Sequence, residues 1–571
     1  MFAMIPLPKS RCLALVLTIL LGLLGAGTTN AATYFVDYAN GDDTATGTAT
    51  DAPWQHSPGD SAATGIPATK TLASGDVVNF KGGVVYLLTS KSTGIMAVSG
   101  VTYDGAAWGS GKAIMTDSNA PVGHSAFGLY SAQSNVVIQS FVVTNLGGAL
   151  NLPPDTGSRV AANPGVGVNM SGGQHNIIVN NCDFAQLGYW QNVKPVGVDS
   201  INGAGVSIVG NGLETSSIIV SNCTFRRMHT GVSLQSNPSL SNIAVANCQF
   251  TDSFVWCVDI TVGANNSTTA FVSVHDCTFY DYYQYNNSTW AGYPDGSGPH
   301  VDGIFLRCDY PNGAIYGTNI NLYNNLFYST AGTGGGTAQI YVTEGPSCNI
   351  FGNVFIHSGM SDGNIYLNNG PNGATSHQYV NIFNNTFLDS YTLNVYATTD
   401  SSDRPVQSLK MVNNIFYDTV KGSGANWLFS LYVGTDASQY TNWFVDYNVY
   451  KSFNTSLPAG AGGGFYNGGP WTFTQCRTYM GWDTHSIIAD PAFKNITAST
   501  PIQNLQVAAG SPALSAGTNL TSWLINSGIP AVDRNGNTRP ASGTWDIGAY
   551  QLNGNKPPPA APQLLPVKSN K

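Results

Sequence analysis

Long charged side chains are nearly absent from this chain. Only 9% of its 571 residues are charged, and glutamate occurs just twice, at Glu214 and Glu344. An average soluble domain carries about 25% charged residues. Charge this sparse would suit a membrane protein or a polar disordered chain, but the rest of the composition excludes both. Hydrophobic residues make up 42% and aromatics 11%, enough to bury a large core, and a single segment at the extreme N-terminus is apolar enough to enter a bilayer. Scarcity of Glu and Lys removes good helix formers, whereas the abundant Asn, Gly, Thr, Val, Ile and Tyr favour strands and turns. An all-β chain follows. Basic residues are also few, 22 against 31 acidic ones for a net charge of −9. No basic patch is visible, which argues against nucleic acid or an anionic membrane as partner.

The first residues read as an export signal. Lys9 and Arg11 precede an apolar run from Leu13 to Leu24, and the small residues Thr29 and Ala31 suit cleavage after Ala31. The run is short for a membrane span of about 20 residues. The mature protein is expected outside the cytoplasm, extracellular or periplasmic, and free of membrane.

A repeat occupies the middle of the chain. Aligned on phenylalanine, it reads Asn181-Cys-Asp-Phe184, Asn222-Cys-Thr-Phe225, Asn247-Cys-Gln-Phe250 and Asp276-Cys-Thr-Phe279. It goes on through Asn324-Asn-Leu-Phe327, Gly352-Asn-Val-Phe355, Asn384-Asn-Thr-Phe387, Asn413-Asn-Ile-Phe416 and Tyr447-Asn-Val-Tyr450. The steps are 41, 25, 29, 48, 28, 32, 29 and 34 residues. A minimum near 25 with variable excess fits coils of three short strands and three turns, some carrying insertions. One coil cannot bury its own apolar face, so coils stack at a strand spacing of about 4.8 Å and each side chain sits over its counterpart. Phe then forms an internal aromatic stack, and Asn an amide ladder that satisfies turn backbone groups. Cys182, Cys223, Cys248 and Cys277 share the ladder position with Asn325, Asn353, Asn385 and Asn414. They read as small, reduced, buried ladder members; without a Cys-x-x-Cys pair, a metal or redox role is not indicated. Cys257, Cys308, Cys348 and Cys476 cannot be paired from sequence.

These features divide the chain into a signal peptide (1–31), an N-terminal cap with the first coils (32–120), and a right-handed parallel β-helix (121–500) with inserted loops at 185–204 and 280–302. A C-terminal capping segment (501–552) and a disordered tail (553–571) follow. The opening Tyr34-Phe-Val-Asp37, Gly41-Asp42-Asp43 and Ala52-Pro-Trp54, the Asn-Asn-x-Phe coils and the ending Asp546-Ile-Gly-Ala-Tyr550 resemble secreted bacterial proteins of the pectin-lyase-like superfamily over nearly the whole mature chain. The resemblance implies the β-helix fold and a carbohydrate partner. It does not by itself give an activity, because that fold hosts lyases, hydrolases, epimerases and non-enzymatic surface proteins.

Function must come from a site. The strand after each Phe supplies Gly231-Val-Ser-Leu234, Val258-Asp-Ile-Thr261, Ile304-Phe-Leu-Arg307, Ile340-Tyr-Val-Thr343, Ile365-Tyr-Leu-Asn368, Val395-Tyr-Ala-Thr398 and Leu431-Tyr-Val-Gly434. Alternation sends the first apolar residue of each inward. Ser233, Asp259, Phe305, Tyr341, Tyr366, Tyr396 and Tyr432 then form an outward column, beside a second column of Gln235, Thr261, Arg307, Thr343, Asn368 and Thr398. Aromatics on an outer face suit sugar rings, which have apolar faces and polar rims. His300-Val-Asp302-Gly303-Ile304 resembles the Asn-Thr-Asp-Gly-Ile segment of polygalacturonases, whose Asp is catalytic. The next coil has Gln339-Ile340-Tyr341 where those enzymes have an Asp pair, and their Gly-His-Gly and Arg-Ile-Lys motifs are missing. The resemblance therefore implies a candidate role for Asp302 alone.

The candidate catalytic residues are Asp302, Asp259, His300, Arg307 and, as an alternative acid, Glu344. The candidate substrate-binding residues are His229, Trp256, Phe305, Tyr341, Tyr366, Lys194 and Trp290, the last two in the aromatic-rich insertions. Asp259 and Asp302 should lie one coil apart, offset by about three residues, roughly 10 Å between backbones. Side chains could narrow that to the 6.5–9.5 Å or so of inverting glycosidases. The expected function is a secreted, monomeric carbohydrate-active enzyme that hydrolyses a polysaccharide with paired carboxylates. The alternatives are a pectate-lyase-like polysaccharide lyase with an Arg or Lys base and Ca²⁺, and a non-catalytic glycan-binding or surface protein. Hydrolysis requires no cofactor.

Overall fold

The computed structural model describes residues 31–88, 93–117, 125–146, 165–187, 203–236, 239–252, 255–262, 268–282, 301–308, 318–329, 336–343, 345–357, 359–368, 379–390, 393–398, 406–417, 429–431, 440–451, 464–465, 473–496 and 504–552. Residues 1–30 of the expected signal peptide, the C-terminal residues 553–571, most of both expected inserted loops, and Lys194, Trp290, His300, Glu344 and Tyr432 lie outside the described residues.

The chain winds through three parallel sheets in turn. One coil, for example, runs His175–Asn180 in the first sheet, Asp183–Leu187 in the second and Ala204–Val209 in the third. The next coil repeats the order with Thr215–Ser221, Thr224–Met228 and Thr230–Gln235. Among the described residues the sheets hold 13, 13 and 12 strands, each hydrogen-bonded to its counterparts one coil before and after. This is a right-handed parallel β-helix, the fold the resemblance implied, with the hand that parallel crossovers take. A full coil already exists at Val77–Gly82, Val85–Leu87 and Thr93–Met96, ahead of the visible repeat. Thr33–Val36 adds a further rung at the N-terminal end and is bridged to Trp54, which is buried.

The repeat maps onto the corner between the first and second sheets. Phe184, Phe225, Phe250, Phe279, Phe327, Phe355, Phe387, Phe416 and Tyr450 form one internal stack, with ring centroids 4.6–5.3 Å apart and planes within 14° of parallel. The residue that opens each corner adopts the left-handed conformation: φ is 53° at Asn181, 54° at Asn222, 55° at Asp276, 66° at Gly352 and 53° at Asn384. Asn, Asp and Gly tolerate that region at least cost, which explains their recurrence.

The second corner residue points inward. Cys182, Cys223, Cys248 and Cys277 are free thiols, each donating to the carbonyl two residues earlier at 3.1–3.4 Å. From Asn325 onward an amide replaces the thiol. The side-chain oxygens of Asn353, Asn385, Asn414 and Asn448 each accept from both the backbone N–H and the side-chain amide of the preceding ladder residue, at 2.9–3.1 Å. Cys257, Cys308 and Cys348 are likewise free and buried.

The C-terminal segment caps the later coils from the side. Leu505, Val507, Ala513, Ile547 and Ala549 pack on Leu326, Val354, Leu388, Ile415 and Val449 of the second sheet. Leu524, Ile529 and Trp545 pack on Tyr323, Phe351, Phe383 and Val412 at the end of the first. Arg534 reaches back to donate to the carbonyls of Cys277 and Asn324 and to Thr278 Oγ1. Arg539 is buried between the rings of Phe351 and Trp545, 5.4 and 5.3 Å from their centroids. These contacts cover the flank of the first two sheets. The outer face of the third sheet carries a separate aromatic cluster.

Candidate functional site

The relevant strands of the third sheet are β1 (Thr230–Gln235), β2 (Trp256–Val262), β3 (Asp302–Cys308), β4 (Ala338–Thr343), β5 (Gly363–Asn368), β6 (Val395–Ala397) and β7 (Phe429–Leu431). Their register runs Ser233, Asp259, Phe305, Tyr341, Tyr366, Tyr396 along one outward column. Gln235, Thr261, Arg307, Thr343 and Asn368 form the second. Val232, Val258, Ile304, Ile340, Ile365 and Val395 between them are buried in the core. The final coil departs from the expected alignment. Tyr396 pairs with Ser430, so Ser430 takes the place expected of Tyr432 and the register is two residues earlier than the sequence suggests.

The aromatic column is a ladder. Trp256 stacks on Phe305 at 5.1 Å, Tyr341 on Tyr366 at 4.8 Å and Tyr366 on Tyr396 at 4.9 Å, all within 14° of parallel, and Phe305 meets Tyr341 tilted by 44°. The expected role of Phe305, Tyr341 and Tyr366 as flat platforms is thereby altered. Their faces are occupied by one another because the coil repeat nearly equals the thickness of stacked rings, and edges and hydroxyls remain to face outward. Tyr341 Oη accepts from Asn368 Nδ2 at 2.8 Å, and Asn368 Oδ1 in turn accepts from Thr398 Oγ1 at 3.3 Å. Arg307 lies over the Phe305 ring at 5.7 Å while its Nε donates to Thr261 Oγ1 at 3.0 Å. His229 meets Trp256 edge-on at 5.3 Å, its Nδ1 is 2.9 Å from Thr230 Oγ1, and desolvation pushes its pKa down. His229 is therefore a neutral ring that walls the cluster.

Asp302 occupies the centre. It pairs in register with Trp256 on one side and Ala338 on the other, and its side chain is fully buried. Oδ1 accepts from the Ala338 backbone N–H at 3.0 Å, and Oδ2 has no hydrogen-bond partner. The neighbouring Trp256 indole N–H is also buried and unpaired; it favours the ionised acid slightly without reaching bonding geometry. Burial raises the Asp302 pKa well above the usual carboxylate range, and the charge of Asp362 adds to the effect. Burial thus favours the protonated form of this carboxyl, which lies beside the unused indole N–H.

Asp259 lies one coil and three residues from Asp302, as expected, but its carboxylate serves its own neighbourhood. Oδ1 accepts from Thr261 Oγ1 at 3.2 Å and Oδ2 from Ser233 Oγ at 3.5 Å. Thr261 lies further along the strand from Trp256, so Asp259 turns away from Asp302. The acid that does act on Asp302 was missed in the sequence. Asp362 immediately precedes β5, is half-buried, and its N–H donates to Thr337 O at 3.0 Å. Desolvation raises the pKa values of Tyr341 and Tyr366, and the Asp362 charge adds a smaller push in the same direction, behind other neighbours. An available signal was another Asp-Gly pair, Asp362-Gly363, at the start of the strand two coils after Asp302-Gly303.

Among the described residues no three of His, Cys, Asp or Glu gather as metal ligands, and no helix is long and apolar enough to cross a membrane. No protein-family model and no curated protein sequence matches the chain. Solved structures similar to it include the GH136 lacto-N-biosidase of Eubacterium ramulus, at 14% identity over 68% of this chain with a TM-score of 0.45. This chain spans 64% of that enzyme's length, less than two thirds. A rhamnogalacturonan lyase is similar at 14% identity, covering 69% of this chain and 89% of its own, with a TM-score of 0.43. A pectate lyase covers 92% of this chain and 98% of its own at 12% identity, with a TM-score of 0.38.

Proposed function

We propose that the outer face of the third sheet, centred on Asp302, is the active site of an enzyme that hydrolyses glycosidic bonds of a polysaccharide. The observation that carries this reading is the pair of buried, unsatisfied groups at Asp302 Oδ2 and Trp256 Nε1. A neutral carboxyl and an indole N–H side by side both seek an acceptor, and a glycosidic oxygen is one. A protonated acid aimed at a leaving oxygen is what the first half of glycoside hydrolysis needs. Elimination would instead require a base, and the guanidinium of Arg307 is committed to Thr261 and Phe305. With Asp302 protonated, Asp259 and the nearby Asp362 still outnumber that one cation among the described residues, which favours an uncharged glycan over a polyuronate.

The mature protein should be incubated with xylan, galactan, mannan, polygalacturonate and alginate while reducing ends and absorbance at 235 nm are followed together. Reducing ends alone, from a neutral glycan, are the expected result. Both signals together would replace hydrolysis with elimination. Neither signal, with retained binding to a glycan, would make the protein a glycan-binding surface molecule.

A further inference from the structure

We propose that residues 473–489 form a pH-sensitive latch over the C-terminal end of the β-helix, with the Asp483 carboxyl as its pin. The latch is closed in acid and opens more often as pH rises toward neutral.

A stack of coils exposes its core at each end unless something covers it. Among the described residues Phe444–Asp446 is the last strand of the first sheet, and in the second sheet only the two-residue strand Ile487–Ile488 follows Val449–Tyr450. Residues 473–489 close this end. The helix Phe473–Met480 sets Phe473 edge-on to Tyr450 at 6.2 Å, and Trp482 lies face to face with Trp443 at 6.0 Å. Phe473 and Trp482 are both buried as part of the main core. Ile487 and Ile488 then pair with Val449 and Tyr450 as a final rung.

Both internal ladders end on Asp483. Tyr450, the last ring of the aromatic stack, donates its hydroxyl to Asp483 Oδ1 at 2.8 Å. Asn448, the last amide of the asparagine ladder, donates its backbone N–H to Ser486 Oγ at 2.9 Å, and Ser486 Oγ donates to the same Oδ1 at 2.7 Å. The Asp483 N–H donates to Val445 O at 2.7 Å. Oδ2, by contrast, is buried without a hydrogen-bond partner. A neutral acid suits that position better than an ion, because a buried charge left unpaired is costly.

The charged groups around Asp483 do not relieve it. Asp446 is itself well supplied: Oδ1 accepts from the N–H groups of Tyr447 and His485, while Oδ2 accepts from Thr484 Oγ1 and lies 2.7 Å from His485 Nδ1. Arg477 donates to Thr484 O at 2.6 Å, and Lys451 pairs with Asp490. Burial pushes the Asp483 carboxyl up to about 7 despite the two hydroxyls, and the Asp446 charge adds to the rise.

The sign follows from what opening does to the pin. Once the segment lifts, the carboxyl meets water and titrates near 3.9. The closed form therefore keeps a proton that the open form loses. Closure is fully favoured below about pH 4. The opening constant then rises by up to about tenfold per pH unit, about 50-fold between pH 5 and 7, and levels off above pH 7.

Hydrogen exchange of the full mature protein tests this, with opening constants taken from rates corrected for the intrinsic effect of pH. Peptides from 440–451 and 473–489 should open about 50-fold more at pH 7 than at pH 5, while peptides from 175–187 and 239–250 should change by no more than a few-fold. Asp483→Asn mimics the closed acid, and Asn tolerates the left-handed backbone there, where φ is 54°. It should make opening independent of pH and keep the segment protected at pH 8. Tyr450→Phe, which removes a donor to the ionised form, should carry the rise to higher pH. His485→Gln should leave the pH response in place. Equal corrected protection at pH 5 and 7 in the unaltered protein overturns the latch whether or not any variant folds. A response that survives Asp483→Asn, or one that disappears in His485→Gln, overturns Asp483 as the pin.

Discussion

At the scale of single residues, burial decides protonation, and the sign can be worked out for Asp302. Its folded pKa is raised by desolvation, while in the unfolded chain an aspartate titrates near 3.9. The folded state therefore keeps its proton when the unfolded state has lost it. This contribution to stability is complete below about pH 4 and declines by at most about 1.4 kcal/mol per pH unit as pH rises toward the folded pKa. Asp483 adds a slope of the same sign. Its carboxyl is buried beside Tyr450 Oη and Ser486 Oγ and pushed up to about 7, so its decline ends near pH 7. Asp302→Asn, which mimics the neutral acid, should remove one slope and Asp483→Asn the other. Thermal midpoints measured from pH 4 to 8 should show each variant gaining on wild type with rising pH; a constant offset would mean the acids are ionised when folded. Asp302 was legible because Asp-Gly-Ile before an outward strand stands out. Asp362, whose charge reaches Asp302 across two coils, was not, since Asp before Gly is ordinary turn chemistry.

At the scale of the element, the corner ladder shows how far a one-dimensional pattern extends. The Phe stack, the Cys-to-Asn column and the inward Val and Ile positions could all be read from sequence, because identical residues at identical coil positions leave a period. Ring orientation left no such mark: that Tyr341, Tyr366 and Tyr396 stack on one another follows from the inter-coil spacing. The register of Ser430 against Tyr396 was hidden for a related reason, because a variable-length connection separates β6 from β7. The ladder makes two predictions. Asn385→Ala strips acceptors from the backbone and side-chain N–H groups of Asn353 and a donor from Ile350 O. At about 1–3 kcal/mol per buried group left unpaired, the loss in stability should exceed about 3 kcal/mol, measurable by urea unfolding. A loss under about 1 kcal/mol would mean water replaces the amide. The thiols of Cys182, Cys223, Cys248 and Cys277 are fully enclosed, and burial pushes Cys182 and Cys248 up, so they should resist alkylation until the coils open. Mass mapping of native protein should find them unmodified and unlinked; a disulfide between any two would contradict the stack.

At the scale of the whole molecule, the lateral strap could not be anticipated in detail. The sequence marks 501–552 as different from the coils, but nothing in one dimension says that Arg534 travels back to Cys277 or that Arg539 enters a slot between Phe351 and Trp545. Arg539 donates to the carbonyls of Asp546 and Gly548, so its removal leaves a void and unpaired oxygens together. Arg539→Ala should release the strap, seen as new proteolytic cleavage between about 505 and 552 and a thermal midpoint lower by several degrees. An unchanged cleavage pattern would show that the apolar contacts of Leu524, Ile529 and Trp545 hold the strap alone.

That strap sets an order of assembly. Coils up to about Cys277 are complete in contacts made by chain that has already emerged, so they can zip one after another from the N-terminal rung as the polypeptide is made. The coils from Cys277 to Tyr450 cannot. Their flank of Leu326, Val354, Leu388 and Ile415 stays bare until residues 505–549 arrive, the very end of the described chain. For that interval the molecule is a finished half joined to one with an exposed greasy seam, the form most at risk of pairing with a second copy or meeting a protease. Proofreading of completeness is thereby built into residues 505–549: a chain cut short anywhere before them leaves part of the candidate active site on coils that were never sealed.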